Sequence, residues 1–381
     1  MKACIYAVVF SILIIVWNSV FPSMINEYTP FWHAKNFDGV IDDTFLVEVY
    51  TYHQNNPVFA ARPAVTWLIG FTATYTALTI PQSFVFVQLL LLTISGVALV
   101  WCARSFKRDV PVFTTLLLFY LSFSVFFAFF APIYTYDDFL QYIFLFIAIG
   151  LAQRGKWLWY VFAMTGSIWV REPSLILLPS FLILWATHLK DWKRICVILL
   201  PAVVYWIIQW STLDPMLVSA NVEYLQSDRF VHLVYNTLTP ERMRETVFSI
   251  IAVLTLPLYV LYRARQQYSQ KFTVAVIIAL IFNTLAAIVG TRIQEARIVA
   301  LPLVLLWPVM ATPAIGFVKH CRFKFSLEKI LLLIFSLTAV WQVAFVLYRS
   351  TDVYAFDAAF GGYVFIMLSV LVVYALFVQK N

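Results

Sequence analysis

Hydrophobic residues run through this chain in long stretches, and the polar residues are confined to short segments between them. Most stretches hold about 20 residues, the length that an α-helix needs to cross the ~30 Å apolar core of a bilayer. The pattern therefore predicts a series of transmembrane helices. They cover residues 3–22, 83–103, 110–131, 138–153, 157–171, 173–189, 195–211, 246–262, 272–291, 298–317, 330–348 and 363–378.

One further apolar run, residues 64–80, lies between Pro63 and Pro81. As a helix it would be roughly 26 Å long, just short of the apolar core. It therefore predicts a re-entrant or juxtamembrane helix. The expected fold is all-α, a polytopic transmembrane bundle of about 12–13 helices forming one integral-membrane domain, residues 1–381. Its outer loops are residues 23–63 and 212–245.

Composition makes the lipid bilayer the main partner, because 62% of the residues are hydrophobic and the mean hydropathy is +0.86. The net charge of +7 does not indicate nucleic acid, since the basic residues are scattered at helix ends. If residues 64–80 do not cross, 17 of the 26 basic residues fall on one face, which predicts an inner-membrane protein with cytoplasmic N- and C-termini. Charge alone does not decide whether they cross. The cysteines favour the same orientation, because Cys4, Cys102, Cys196 and Cys321 all lie near the basic face.

The first outer loop concentrates carboxylates in a chain with only 12% charged residues. Membrane insertion does not require this negative charge, so the loop is either a solvated acidic segment or part of a functional site. We favour the site. Its acids are Asp38, Asp42, Asp43 and Glu48.

Three further polar groups open on the same predicted face. Asp137 and Asp138 begin a helix, where carboxylates also simply favour the helix dipole. Arg171 and Glu172 precede a proline and could be a helix-end ion pair. Arg292, Glu295 and Arg297 share a short loop, where Glu295 and Arg297 could pair with each other. Each group therefore has both a structural and a functional interpretation.

Common soluble-enzyme motifs are missing from the sequence, which has no Ser-His-Asp pattern, HExxH, CxxC or phosphate-binding glycine loop. His33 and His53 are the histidines of the outer face, and their separation of 20 positions does not match a metal-ligand spacing.

The order of these motifs resembles the GT-C superfamily of polytopic glycosyltransferases, especially its bacterial members. The similarity rests on Phe37-Asp38-Gly39, the segment ending in Arg62-Pro63, Asp137-Asp138, Arg171-Glu172-Pro173, and Glu295-Ala-Arg297 before Pro302. It implies a polyprenyl-phosphate-linked sugar as donor and an essential acid in the first outer loop. Asp38 matches that acid, with Asp42 and Asp43 as competitors. The chain departs from the family in having no Asp-x-Asp or Glu-x-Asp and no soluble outer domain.

Transfer from a lipid phosphate needs a carboxylate that deprotonates an acceptor hydroxyl or holds a divalent cation such as Mg²⁺ or Mn²⁺. It also needs cations for the departing phosphate, which Arg171, Arg292, Arg297 and Arg62 could supply. We therefore expect a hexosyl- or pentosyltransferase of the cell envelope, with supporting roles for Glu48, Asp137, Asp138, Glu172 and Glu295. A transporter or flippase of a lipid-linked anion, or an O-antigen-type polymerase, remains the alternative.

Overall fold

The computed structural model describes residues 1–21, 23–26, 43–107, 109–130, 133–186, 191–212, 231–293, 295–319, 326–346 and 358–377. The regular elements of these residues are all helical. The α-helices are α1 (Lys2–Val20), α2 (Asp43–Asn55), α3 (Pro57–Ala60), α4 (Ala64–Tyr75), α5 (Ile80–Phe106), α6 (Val112–Tyr120), α7 (Phe123–Phe126), α8 (Asp138–Gln153), α9 (Trp157–Val170), α10 (Leu178–Trp185), α11 (Trp192–Thr212), α12 (Val231–Thr237), α13 (Pro240–Arg263), α14 (Gln270–Gly290), α15 (Leu303–Lys319), α16 (Leu327–Val346) and α17 (Ala358–Phe377), with a 3₁₀ helix at Glu172–Leu177 between α9 and α10.

Six of these helices are long and apolar enough to cross a membrane, namely α1, α5, α13, α14, α16 and α17. The buried fraction of each helix shows whether it lies at the centre or at the edge of the bundle. The apolar stretch of α5 is 61% buried, whereas that of α16 is only 11% buried, so α5 is central and α16 is peripheral. Shorter apolar helices, including α8 and α9, complete the interior. The predicted fold class, an all-α polytopic helical bundle, is confirmed.

The centre of the bundle is a packed aromatic cluster around the indole of Trp307 on α15. Its ring lies edge-on to the rings of Phe119 and Tyr142, with centroids 5.0 and 5.5 Å apart, and Phe146 adds a further contact at 6.3 Å. Edge-to-face geometry of this kind adds to the effect of apolar burial. The cluster joins α6, α8 and α15, and so fixes the helix that begins at Asp138.

Two predicted single helices are interrupted. Residues 110–131 form α6 and α7, separated near Ser122, whose hydroxyl donates to the Phe119 carbonyl and so competes with the helical backbone bonds. Residues 173–189 begin as the 3₁₀ helix because Pro179 has no N–H to donate across the junction with α10. The first break carries no proline or glycine to signal it.

The two predicted outer loops contain helices. The 23–63 segment includes α2 and α3, and the 212–245 segment includes α12 and the start of α13. Within 64–80 the helix α4 has 12 residues, about 18 Å, which is too short to cross a bilayer core. Its Trp67, Phe71 and Tyr75 are exposed, as expected for a helix lying at a membrane surface.

Candidate functional site

The charged side chains of the candidate site lie at helix ends that meet in one region of the bundle. Arg62 follows α3, Arg171 ends α9, and Arg292 and Arg297 lie in the turn after α14. Asp138 is the first residue of α8. Residues at helix ends do not interrupt the apolar helix bodies, so the bundle can bring several charges together there.

A cavity of about 690 Å³ lies between these helix ends. All four arginines that the sequence predicted to bind phosphate line this cavity. The remainder of the wall is largely apolar or weakly polar, and includes Ile176, Ala286 and Gly290. The four lining arginines are Arg62, Arg171, Arg292 and Arg297.

Asp138 is the shared counter-ion of two of these arginines. It is buried, it forms an ion pair with Arg171, and its second oxygen lies 3.5 Å from Arg297 Nη1. A buried carboxylate between two guanidinium groups avoids the large cost of an unpaired charge. Asp138 therefore acts as an internal anchor for the two arginines.

A second pair of ion pairs surrounds the cavity. Arg62 Nη2 lies 2.5 Å from Glu172 Oε2, and the Tyr205 hydroxyl donates to the other Glu172 oxygen at 3.2 Å. Arg297 Nη2 lies 2.9 Å from Glu295. The predicted pairing of Glu295 with Arg297 is thus present, whereas Arg171 and Glu172 pair with distant partners instead of with each other.

The turn before α8 is held by several long-range contacts. The Tyr134 backbone adopts a left-handed conformation, with φ of 45°, and its carbonyl accepts a hydrogen bond from Arg297. Gln88 donates to the Tyr136 carbonyl at 2.8 Å, and Thr66 bonds the Tyr136 hydroxyl at 3.2 Å. Such strained backbone persists only where neighbours enforce it. The contacts fix the position of the following Asp137–Asp138 pair.

Asp137 is buried beside the arginines, and its Oδ1 has no hydrogen-bond partner among the described residues. Burial raises the pKa of its carboxyl to about 7, and nearby Arg171 and Arg62 partly offset the increase. As the N-cap of α8 it makes no side-chain capping bond. Simple capping therefore does not account for Asp137.

His53 on α2 also belongs to this region. Its ring stacks on Tyr136, with centroids 3.7 Å apart, and burial, with the fields of Arg297, Arg62 and Arg171, lowers its pKa to about 3. The imidazole is consequently neutral at physiological pH. The sequence signals this histidine only as an isolated polar residue.

Three of the four first-loop acids have side chains that lie outside the described part of the chain. Asp38 and Asp42 lie outside the described residues, Asp43 begins α2 with a side chain that is not described, and Glu48 on α2 is exposed. Their catalytic assignment stays a prediction. Within the described ranges no three His, Cys, Asp or Glu side chains group to hold a metal ion.

Sequence reasoning missed several residues of the cavity wall. His232 on α12 and Asn283 on α14 line it, as do Tyr52 and Asn56 from the first outer loop. Asn283 is buried within an apolar helix and donates to the Ile298 carbonyl at 2.8 Å. The sequence signal that could have identified Asn283 is its position as a lone polar residue in an apolar helix.

The cavity combines four guanidinium groups with a largely apolar wall. This combination suits an anionic headgroup attached to a lipid. Arg62, Arg171 and Arg297 are already oriented by carboxylates, so binding would require little rearrangement. No protein-family model matches the chain, and no curated protein or solved structure is significantly similar to it.

Proposed function

We propose that this chain is an inner-membrane glycosyltransferase that moves a sugar from a polyprenyl-phosphate donor to an acceptor on the non-cytoplasmic face. The observation that supports this proposal most is the presence of Arg62, Arg171, Arg292 and Arg297 around one 690 Å³ cavity. Guanidinium groups bind phosphate oxygens through two parallel hydrogen bonds. Four of them at the end of an apolar bundle match a phosphate that is carried by a lipid.

The chemistry requires a base, a nucleophile and a stabilised leaving group. A first-loop carboxylate, Asp38 in the leading assignment, takes the proton of the acceptor hydroxyl. The acceptor oxygen then bonds to the anomeric carbon as the bond between that carbon and the phosphate oxygen breaks. The phosphate leaves with the electron pair of that bond, and the arginines neutralise its charge.

Binding of a long-chain polyprenyl phosphate tests the arginine assignment. Arg292→Lys, which leaves both Asp138 ion pairs intact, should weaken binding by about tenfold because the planar fork is lost. The measurement is a titration of the purified full-length protein in nanodiscs. Arg154→Lys is the matched control, because Arg154 lies against the Trp101 ring away from the cavity. Equal affinities for both variants would contradict the phosphate assignment.

Sugar transfer tests the assignment of the base. General-base catalysis contributes about 10²–10⁴-fold, so Asp38→Asn should reduce turnover by that factor and leave membrane insertion and donor binding unchanged. Asp42→Asn and Asp43→Asn are the comparison variants, and Glu328→Gln, at an exposed position in the first turn of α16 and outside the cavity, is the control. Full transfer by all three Asp variants would overturn the catalytic assignment of Asp38, Asp42 and Asp43 and would favour the transporter.

A transporter or flippase of a lipid-linked anion is the second candidate. Glu295 is the one acid among the described residues that line the cavity, and it is paired with Arg297. An anion-binding cavity whose one described carboxylate is paired suits transport of a substrate that is not chemically changed. Lipid-phosphate binding that depends on the arginines, with no sugar transfer in any assay, would favour this function.

A further inference from the structure

The short helix α12 contributes His232 to the wall of the arginine-lined cavity. Its Tyr235 ring lies 4.3 Å from the Arg242 guanidinium and 5.0 Å from that of Arg292. Cationic groups over an aromatic face are attracted to it. This helix therefore touches Arg292 directly.

Asn236, the next residue of α12, is completely buried and uses its whole amide group. Its Nδ2 donates to the carbonyls of Ile288 and Thr291, both at 2.8 Å, and its Oδ1 accepts from the Ile293 N–H at 3.2 Å. Two of these bonds reach the residues on either side of Arg292. The amide thus clamps the backbone from which the arginine extends.

The same asparagine ties this clamp to the neighbouring helix. The Thr246 hydroxyl of α13 donates to the Asn236 carbonyl at 3.1 Å. Near the start of α13, Arg242 pairs with the buried Glu245 at 3.2 Å while it contacts Tyr235. α12 is therefore fixed on both sides, and it can transmit a defined position to the turn after α14.

We propose that Asn236 is a positioning residue that sets the location of Arg292 in the cavity. The inference rests on the proposed function in one respect, because it takes the ligand of Arg292 to be a lipid phosphate. Asn236 does not itself line the cavity among the described residues. Its effect on binding should therefore pass through Arg292.

Asn18 on α1 provides a matched control for the loss of a buried amide. It is completely buried and makes the same three kinds of bond: its Nδ2 donates to the carbonyls of Ile14 and Phe126, and its Oδ1 accepts from the Phe129 N–H. Asn18 does not line the cavity. Its removal should reduce stability without a specific effect on ligand binding.

The test is a double-mutant cycle in full-length protein reconstituted in nanodiscs and titrated with a long-chain polyprenyl phosphate. Asn236→Ala should weaken binding by about five- to tenfold, and Asn18→Ala by less than about twofold. Because Asn236 acts through Arg292, the Asn236→Ala/Arg292→Ala pair should bind no more weakly than Arg292→Ala alone. Additive losses, or equal losses for the Asn236 and Asn18 variants, would overturn the assignment. Asn236→Ser replaces the alanine variant if the latter does not fold.

Hydrogen exchange separates this inference from the proposed function. The Ile293 amide should exchange at least about tenfold faster in Asn236→Ala than in wild type, and unchanged exchange would overturn the clamp. If the wild type binds no polyprenyl phosphate but the Ile293 amide is deprotected as expected, the proposed function fails while the positional role of Asn236 stands.

Discussion

At the scale of single residues, the site depends on partners that are far apart in sequence. Arg171 and Asp138 are 33 residues apart, and Arg297 reaches the Tyr134 carbonyl across 163 residues. Charged residues in an apolar chain identify themselves as candidates, because burial of unpaired charge is costly. Their partners depend on helix packing, which no local pattern specifies.

The ionisation of Asp137 gives a residue-scale prediction. Burial raises its folded-state pKa from about 4 to about 7, so between these values the unfolded chain loses a proton that the folded protein keeps. Stability should therefore fall from about pH 4 to pH 7 and level off above pH 7. Asp137→Asn should remove this decline, which is on the order of a few kcal/mol.

Thermal unfolding in one detergent from pH 4 to pH 8 measures this effect. The Asp137→Asn variant should gain stability relative to wild type as the pH rises, and the difference should be largest near pH 8. Glu48→Gln, at an exposed position, controls for the general loss of a carboxylate. Parallel pH profiles for wild type and Asp137→Asn would show that the pKa of Asp137 is not raised in the folded protein.

At the scale of elements, the sequence predicted most helix bodies but not where they are interrupted. Apolar length specifies a helix such as α14, which runs from Gln270 to Gly290 against a predicted 272–291. The end of α7 at Phe126 depends on tertiary contacts, because Asn18 accepts from the Phe129 N–H and donates to the Phe126 carbonyl. These bonds stabilise backbone groups outside regular helix, and local periodicity does not reveal them.

The four arginines of the cavity were predictable for a related reason. Arg171, Arg292 and Arg297 follow predicted apolar helices, and Arg62 precedes the 64–80 run. All four lie on the same predicted face, so the predicted topology places them at one end of the bundle. The contribution of α12 was not predictable, because the 212–245 segment reads as a loop. Its role depends on Asn236, whose partners lie 52 to 57 residues away.

The packing of α5 against α8 gives an element-scale prediction. Gly150 on α8 faces the Trp101 ring of α5 so closely that a Cβ atom there would overlap the ring, and Arg154 lies 3.9 Å from the ring centroid. Gly150→Ala should displace the indole and destabilise the protein by about 1–3 kcal/mol.

Gly362→Ala on α17 is the matched control for this substitution. Among the residues that the structure describes, no atom outside the local helix backbone lies within 4 Å of the added methyl group. The change should therefore be neutral or slightly stabilising, since alanine favours helix by up to about 1 kcal/mol. The measurement is the midpoint of thermal unfolding in the same detergent. Equal midpoints for the two variants would indicate that the Trp101 ring moves aside without a loss of stability.

At the scale of the whole molecule, the two ends of the bundle differ in their charged chemistry. The cavity end presents the arginines and their carboxylate partners, whereas Arg104, Lys107, Arg154 and Lys156 lie at the ends of α5 and α8 away from the cavity. The basic end matches the side that the positive-inside rule places in the cytoplasm. The proposed function requires the arginine end to face the other side.

Thiol labelling of intact cells tests this orientation. Asn55, at the end of α2, is exposed, and the next residue, Asn56, lines the cavity, so Asn55→Cys reports the side on which the cavity opens. In a background without other cysteines, a membrane-impermeant reagent should label Asn55→Cys in intact cells. The exposed native Cys4, kept as the only cysteine, is the control and should be labelled only after the membrane is permeabilised. Labelling of Cys4 but not Asn55→Cys in intact cells would place the cavity in the cytoplasm, where a donor on the outer leaflet could not reach it.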